Sequence, residues 1–420
     1  MRVEENVAVG AAVLLVLVLL LLLVDRAPRQ TPALDDEGLR LLELWNTDAL
    51  PLRTAIFLNP MRVAVREHEL RVGTGLGKDF DACLHVLTDD AVYRGLRELE
   101  LHTIWQGRRV LFFEHLEEEG YHRLGRGEVT FVPNQELLTE ADARALRSPT
   151  TTVRHVLCKS RYAEGIMERF KQRYRCSWTV DRCIFPPICT DPFIAHPKDR
   201  GICFHMAGRS WMKNTTAVIQ AWERHPDWPA LIVTCVDMCK AQHAECLRGR
   251  RGATNIHVIN DFLSREQANK LLRHGGYSIL PSSCEGYGHS LYEACANGNL
   301  LVTTNIPPIN EHLTKDACVM IEPSREVRVG SREKSLALLP TVPYSAAFGE
   351  SGSACFEVSV ADLEAAIATA LALTDAQYQA MRTNAFQTWQ RMLDEGHESL
   401  DHALQRAGFT TRTAAHDAHR

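Results

Sequence analysis

No excess of basic charge marks this 420-residue sequence: 47 Lys+Arg stand against 52 Asp+Glu, a formal net charge of -5. A general nucleic-acid binder needs a basic face, so that class is excluded. Paired C-x-x-C knuckles are missing although there are 13 cysteines, which removes the commonest structural zinc pattern. Only one N-x-S/T sequon occurs, Asn214-Thr215-Thr216. Cys203, Cys235 and Cys318 lie in apolar runs, where a free thiol behaves as a small hydrophobe. The cysteines therefore read as reduced structural thiols. Cys176, Cys183 and Cys189, or Cys235 and Cys239, keep a metal or disulfide site open as the alternative. A P-loop is also missing. In "RVGTGLGKDF" (71–80) Gly73 and Gly77 enclose three residues where the motif needs four, and Asp79, not Ser or Thr, follows Lys78. That stretch reads as a surface turn, or as a loop of close approach at the mouth of the first domain. No internal sequence repeat is present.

What the chain does contain begins with one long apolar run. Val7–Val24 is 18 residues without a charge. At ~1.5 Å per residue it nearly crosses a ~30 Å hydrocarbon core. A cleaved signal peptide is the rival reading, but its apolar region is usually ~7–15 residues with a small-residue cleavage site after it. The expectation is a retained single-pass membrane anchor with a stem reaching residue 36. Arg26 and Arg29 outnumber Arg2 across the run, which leans toward a cytosolic body.

Beyond the stem, β-like and helix-like runs alternate. Thr54–Leu58, Ala82–Leu87, Arg109–Leu116, Glu128–Pro133 and Val153–Cys158 read as strands. Residues 89–105 and 160–174 read as amphipathic helices. A Pro-rich break follows at Phe185–Gly201, and the rhythm restarts with "ICFHMAG", "ALIVTCV", "NIHVIN", "YSILPS", "NLLVTT" and "ACVMIE". Such a βαβα rhythm predicts parallel sheets covered by helices. Pro323–Val358 reads as a loop or lid, two long helices follow, and the tail after Gly408 reads as disordered. The expected domains are 1–36 (anchor and stem), 50–195 (first Rossmann-like), 196–375 (second Rossmann-like) and 376–420 (C-terminal helices and tail).

The chemistry is concentrated in "PSSCEGYGHSLYE" (281–293). It follows the apolar strand "YSIL", and ligands in open α/β sheets bind beyond the carboxyl ends of strands. Gly286 and Gly288 permit close backbone approach. A helix from about His289 would point its free N–H groups into the crevice, where phosphate is favoured. Glu285 stands before that helix, placed to accept hydrogen bonds from sugar hydroxyls, and Glu293 stands more than a turn into it, placed to grip a ribose diol. "GRSWMKN" supplies the cations, Arg209 and Lys213, after the strand "ICFHMAG". Singly, each pair is as common on a solvated surface; jointly, both follow strands of one β/α domain.

These two segments resemble the retaining, nucleotide-sugar-dependent glycosyltransferases of group 1, which have the two-Rossmann GT-B fold. "EGYGHSLYEACANGNLLVTTNIPPINE" is similar to their E-x7-E region and "AGRSWMKNTTAVIQAW" to their phosphate-binding Arg/Lys segment. The resemblance covers about 205–313 well, and 52–194 only in architecture. It implies that Arg209 and Lys213 stabilise the departing diphosphate, and that Glu293 binds the nucleotide ribose. It further implies that Glu285 and the amides of Gly286, Tyr287 and Gly288 hold the donor sugar, and that the base lies along 260–264, beside Phe262. Many members space Arg and Lys by five; here the spacing is four, and Ser210 is placed to share the phosphate contacts. The resemblance implies retention and no metal, and no D-x-D stands out at a strand end as a metal carrier. No cofactor is expected, the nucleotide-sugar being a substrate (a UDP- or GDP-sugar).

Acceptor-side signals are sparse. Glu114 and His115 end a strand, and His115 would polarise an acceptor hydroxyl or contact the donor sugar, unless it is a histidine satisfied at a strand end. Val132–Glu136 is a second strand-end candidate. The long C-terminal helices are expected to return across the cleft, with Phe386 and Trp389 packed on the body. The competing function is an inactive nucleotide-sugar-binding or scaffold protein at a membrane. A pyridoxal-phosphate phosphorylase lacks any supporting lysine motif.

Overall fold

The structure, a computed structural model, describes residues 75–96, 101–114, 127–136, 153–187, 198–208, 211–235, 255–259, 265–328 and 353–418, with a few single positions between them. The apolar run at 7–24, the stem and the strand expected at Thr54–Leu58 lie outside the described residues. Among those described, no helix is long and apolar enough to cross a membrane.

The first half is built on a six-stranded sheet in sequence order: β1 (Val92–Leu96), β2 (Leu101–Gln106), β3 (Arg109–Glu114), β4 (Glu128–Pro133), β5 (Val153–Cys158) and β6 (Thr179–Arg182). β3 to β6 run parallel, but β1, β2 and β3 form an antiparallel meander, so the sheet is mixed. Two sequence expectations are corrected here. Residues 89–105, read as a helix, supply β1 and β2; Val92, Tyr93, Thr103, Ile104 and Trp105 are strand formers, and Ile104 pairs with Leu111 of β3. Ala82–Leu87, read as a strand, ends helix α1 (Gly75–Val86). Its buried positions Ala82, Cys83, Val86 and Leu87 form a helical stripe, not an alternation. The stretch "RVGTGLGKDF" is thus no surface turn over its second half: α1 starts inside it. Helix α2 (Arg161–Tyr174) forms where expected, capped by Ser160, whose hydroxyl accepts from Ala163 N at 3.0 Å.

The second half is an all-parallel sheet. Its strands are β7 (Asp199–Gly208), β8 (Ala230–Cys235), β9 (Ile256–Ile259), β10 (Gly275–Leu280), β11 (Leu300–Thr304) and β12 (Cys318–Ile321), joined in the order β12-β11-β10-β7-β8-β9. Counted from β7, this is 6-5-4-1-2-3, the doubly wound order. Every residue of β10 and β11 is buried, as helices on both faces require. Helices α3 (Thr215–Arg224), α4 (Arg265–His274) and α5 (His289–Ala296) connect the strands.

The segment read as a loop at Pro323–Val358 contains two strands. They form an antiparallel ribbon of β13 (Arg325–Arg328) with β14 (Ala354–Glu357). Helix α6 (Val360–Leu371) follows, opened by a Ser359/Asp362 capping box, then α7 (Asp375–Arg406), opened by Thr374/Gln377. α7 crosses from one half to the other. Tyr378 donates to Gly276 O at 2.7 Å in the second half. Trp389, fully buried, donates to Pro187 O at 2.7 Å, and Arg406 pairs with Asp181 of β6 at 3.3 Å. The tail after Gly408, expected to be disordered, is instead docked. Thr411 bridges Leu87, Thr410 N donates to Gln106 Oε1 at 2.6 Å, and α8 (Arg412–Ala418) closes the chain. The reason is that Gln106 and the end of α1 offer backbone and amide partners that no local pattern could reveal.

Candidate active site

In a doubly wound sheet the crevice opens where the winding reverses, here between β7 and β10. The loops leaving these two strands are knitted together. Buried His205 of β7 contacts Ile279 O at 2.6 Å and Thr215 Oγ1 at 2.9 Å. Ser283 N donates to Met212 O at 2.7 Å. Asn214, in left-handed conformation (φ 53°), caps α3 without a side-chain bond. Its amide instead donates to Pro281 O at 2.6 Å, and its Oδ1 accepts from Ser283 Oγ at 3.1 Å. Below, Met212, Cys284 and Cys355 form a small sulfur-rich core, with the Cys284 sulfur 3.1 Å from each of the others. The ten cysteines whose side chains are described are free thiols.

This knitting brings Lys213, in a single 3-10 turn after β7, onto the carboxylate of Glu285. Ser282 Oγ donates to the same oxygen at 2.5 Å, and Lys213 Nζ lies 3.3 Å from Ser282 Oγ. Glu285 is 7% exposed, so its charge depends on these partners. Gly288, at φ +96°, turns the chain into α5, and the first turn of that helix carries amides with no partner inside the helix. Lys213, Glu285 and the start of α5, all singled out in the sequence, thus lie on the loops that leave β7 and β10.

Glu293 lies on α5 and is ion-paired with Lys78 of α1, a first-half residue. Next to it, Asp79 accepts from Lys159 at 2.6 Å, and His289 Nε2 lies 2.9 Å away. Burial alone would lift the Asp79 carboxyl, but Lys159 and His289 outweigh it and hold the carboxyl below its usual range. Burial pushes the His289 imidazole down, against the pull of Asp79, so it is neutral at pH 7. A buried network of Lys78, Asp79, Lys159 and His289 thus joins the first half to the helix carrying Glu293.

The β4 end comes from the opposite side. Gln135, fully buried, donates to Glu285 O at 3.0 Å and to Gly286 O at 2.5 Å. Asn134 Nδ2 donates to Glu136 Oε1 at 3.0 Å. Asn134 presses on Gly286 so closely that a Cβ there would stand 1.5 Å from Asn134 Oδ1. Gly286→Ala is therefore expected to cost about 1–3 kcal/mol by overpacking, read as a lowered melting temperature. Adding Asn134→Gly should recover most of the loss.

Several sequence-chosen residues are not placed. Arg209, Ser210, Phe262 and His115 lie outside the described residues, and of Glu114 only the backbone, at the end of β3, is described. The Tyr287 side chain packs in the hydrophobic core with Phe185, Leu291 and Tyr292. It is buried, its hydroxyl bonded to Phe185 O and its ring 5.0 Å from that of His289. Burial pushes its hydroxyl up. Only the Tyr287 backbone remains with the donor loop, because the interface between the halves captures the ring. Sequence reasoning missed Lys78, Asp79, Lys159 and His289. A Lys-Asp pair preceding the apolar stripe of α1 was the available signal.

Residues 191–327 match the family model described as glycosyl transferases group 1. No curated protein sequence matches the chain. Among solved structures, alpha,alpha-trehalose 6-phosphate synthase from Burkholderia multivorans is 11% identical, covers 75% of this chain and 73% of its own, and superposes with a TM-score of 0.51. A UDP-forming alpha,alpha-trehalose-phosphate synthase from Burkholderia vietnamiensis is 11% identical, with 71% and 70% covered and a TM-score of 0.50. At this identity the likeness shows the fold, an α/β fold of the GT-B kind.

Proposed function

We propose that this chain, whose residues 191–327 match the group 1 family model, is a glycosyltransferase that takes a sugar from a nucleoside-diphosphate sugar, a UDP- or GDP-sugar. The observation that carries the proposal is the meeting of Lys213, Glu285 and the start of α5 at the switch point. Breaking the anomeric bond develops negative charge on the diphosphate and positive charge on the sugar. Lys213, Arg209 and the amides opening α5 stabilise the first. A positioned donor of this kind contributes about 3–4 kcal/mol to the transition state. Lys213 and Glu285 neutralise each other as an ion pair. An arriving diphosphate competes for Lys213, which frees Glu285 for sugar hydroxyls. Glu293 in turn exchanges Lys78 for the ribose diol. Ser210 and Phe262 complete the phosphate and base contacts, and Glu114 and His115 stand on the acceptor side. Transfer proceeds with retention and without a metal. Residues 7–24 anchor the enzyme in a membrane, with the body on the cytosolic side.

Thermal shift of the full-length protein against UDP, GDP, UDP-glucose and GDP-mannose tests this reading. A cognate ligand at about 100 times its Kd stabilises by ~2.7 kcal/mol. Stabilisation by a diphosphate nucleotide and release of that nucleotide from its sugar support the proposal. Binding without turnover supports the inactive scaffold, and no response to any member removes the donor site.

A further inference from the structure

The loop after β4 faces the donor loop with polar atoms that no described residue satisfies. Gln135 is fully buried; its Nε2 is committed to the carbonyls of Glu285 and Gly286. Its Oε1 and the Oδ1 of Asn134 are buried without a hydrogen-bond partner among the described residues. A buried acceptor left unpaired is costly, and two on adjacent residues packed against the donor loop need an explanation. Glu136 completes the row. It accepts from Asn134 Nδ2 and lies within the fields of Glu285, Lys213 and Lys159, the charged groups that face it. Burial, reinforced by the like charge of Glu285, lifts its carboxyl to about 7 against the pull of Lys213, the Asn134 amide and Lys159. The row presents acceptors only: two amide oxygens and one carboxylate. Their complement is a group carrying several O–H donors.

We propose that Asn134, Gln135 and Glu136 form a polyhydroxyl subsite that binds sugar hydroxyls beside Glu285, with Asn134 Oδ1, Gln135 Oε1 and the Glu136 carboxylate as the three acceptors. This deepens the glycosyltransferase reading and rests on it. The hydroxyls come either from the donor sugar or from an acceptor saccharide; both sources present the same chemistry. Such a site is selective, because a ligand lacking the hydroxyls leaves the buried acceptors unpaired. It also titrates. Above pH 7 Glu136 is a pure acceptor, and below it the carboxyl carries its own proton and competes with the ligand's. Hydroxyl binding through Glu136 therefore strengthens as pH rises through 7.

The test uses full-length wild type, Glu136→Gln and Asn134→Ala, with UDP-glucose and GDP-mannose as probes and UDP and GDP as sugar-free controls. The expected result is that both variants bind the sugar-free nucleotide within about twofold of wild type. Two outcomes support the subsite. Either affinity for the nucleotide-sugar falls at least tenfold, which assigns the hydroxyls to the donor sugar. Or that affinity holds while nucleotide release in the presence of acceptor falls at least tenfold, which assigns them to the acceptor. In both, the wild-type pH dependence near 7 is absent from Glu136→Gln. A stability arm stands apart from any ligand. A carboxyl raised from 4.5 to about 7 weakens the fold as pH rises between those values. Glu136→Gln should therefore melt higher than wild type at pH 8 and alike at pH 4. Unchanged nucleotide-sugar affinity, turnover and pH profile in both variants would overturn the proposal. So would an equal loss of sugar-free nucleotide, which would make the row a mere prop for the donor loop. Wild type that binds neither nucleotide nor nucleotide-sugar would instead sink the glycosyltransferase reading beneath it.

Discussion

Replacing Lys213 by methionine should lower turnover of the cognate nucleotide-sugar by about 10²–10³-fold, the loss of one preorganised donor to a departing oxyanion. The size follows from position. Lys213 follows β7, Glu285 follows β10, and the switch point lies between these strands. The substitution also strands the Glu285 carboxylate, so stability and chemistry must be separated. Glu285→Gln and the double variant do this. If the two residues act on one diphosphate-sugar unit, the double variant is little slower than the worse single, because residues that work as a unit are not additive. Independent roles would multiply instead. Lys213→Met/Glu285→Gln also removes the unpaired charge, and should melt above Lys213→Met alone. Full turnover in a folded Lys213→Met variant would show that the diphosphate lies elsewhere.

Asp79→Asn should destabilise the fold by about 3–5 kcal/mol, the cost of breaking a buried ion pair by removing one partner. Its side chains are almost fully enclosed, at 5% exposure for Lys159 and 3% for Asp79. Asparagine keeps the shape and can still bond His289 and Lys159, so the change isolates the charge. The pH dependence has a definite sign. Lys159 and His289 hold the Asp79 carboxyl below its ordinary value, so its contribution is fully present above the unfolded-chain value of about 3.9 and is lost as pH falls through the folded value. Denaturant melts should show a constant gap between wild type and Asp79→Asn from pH 5 to 8. The gap should close only below about pH 4. A gap that closed at pH 6 would point to His289 as the controlling group. Because this network ties α1 to α5, the variant should also loosen Lys78 from Glu293 and weaken nucleotide binding.

How much could be read without coordinates depended on how local the physics was. β4, β5 and the strands β7 to β12 were legible because each is a continuous apolar run between turn residues. The pair Lys213 and Glu285 was legible because both follow such strands. Ala82–Leu87 was misread because a short apolar run has no period long enough to separate strand from helix. Residues 89–105 satisfied a helical pattern, yet pairing with β3 made them a hairpin. Lys78, Asp79, Lys159 and His289 could not be assembled from sequence: Asp79 and His289 are 210 residues apart and meet only when the halves pack. The docked tail was hidden for the same reason, its partners being Leu87 and Gln106. The Tyr287 amide belongs to the donor loop, and the capture of its hydroxyl by Phe185, 102 residues away, has no local signal.

The most direct test of the central claim is a crystal structure of the full-length protein soaked with UDP and, separately, GDP. The account predicts a diphosphate between Lys213 and the first turn of α5, with Glu285 released from Lys213 and Glu293 on the ribose. A nucleotide bound away from the β7–β10 switch point, with Lys213 still on Glu285, would contradict it.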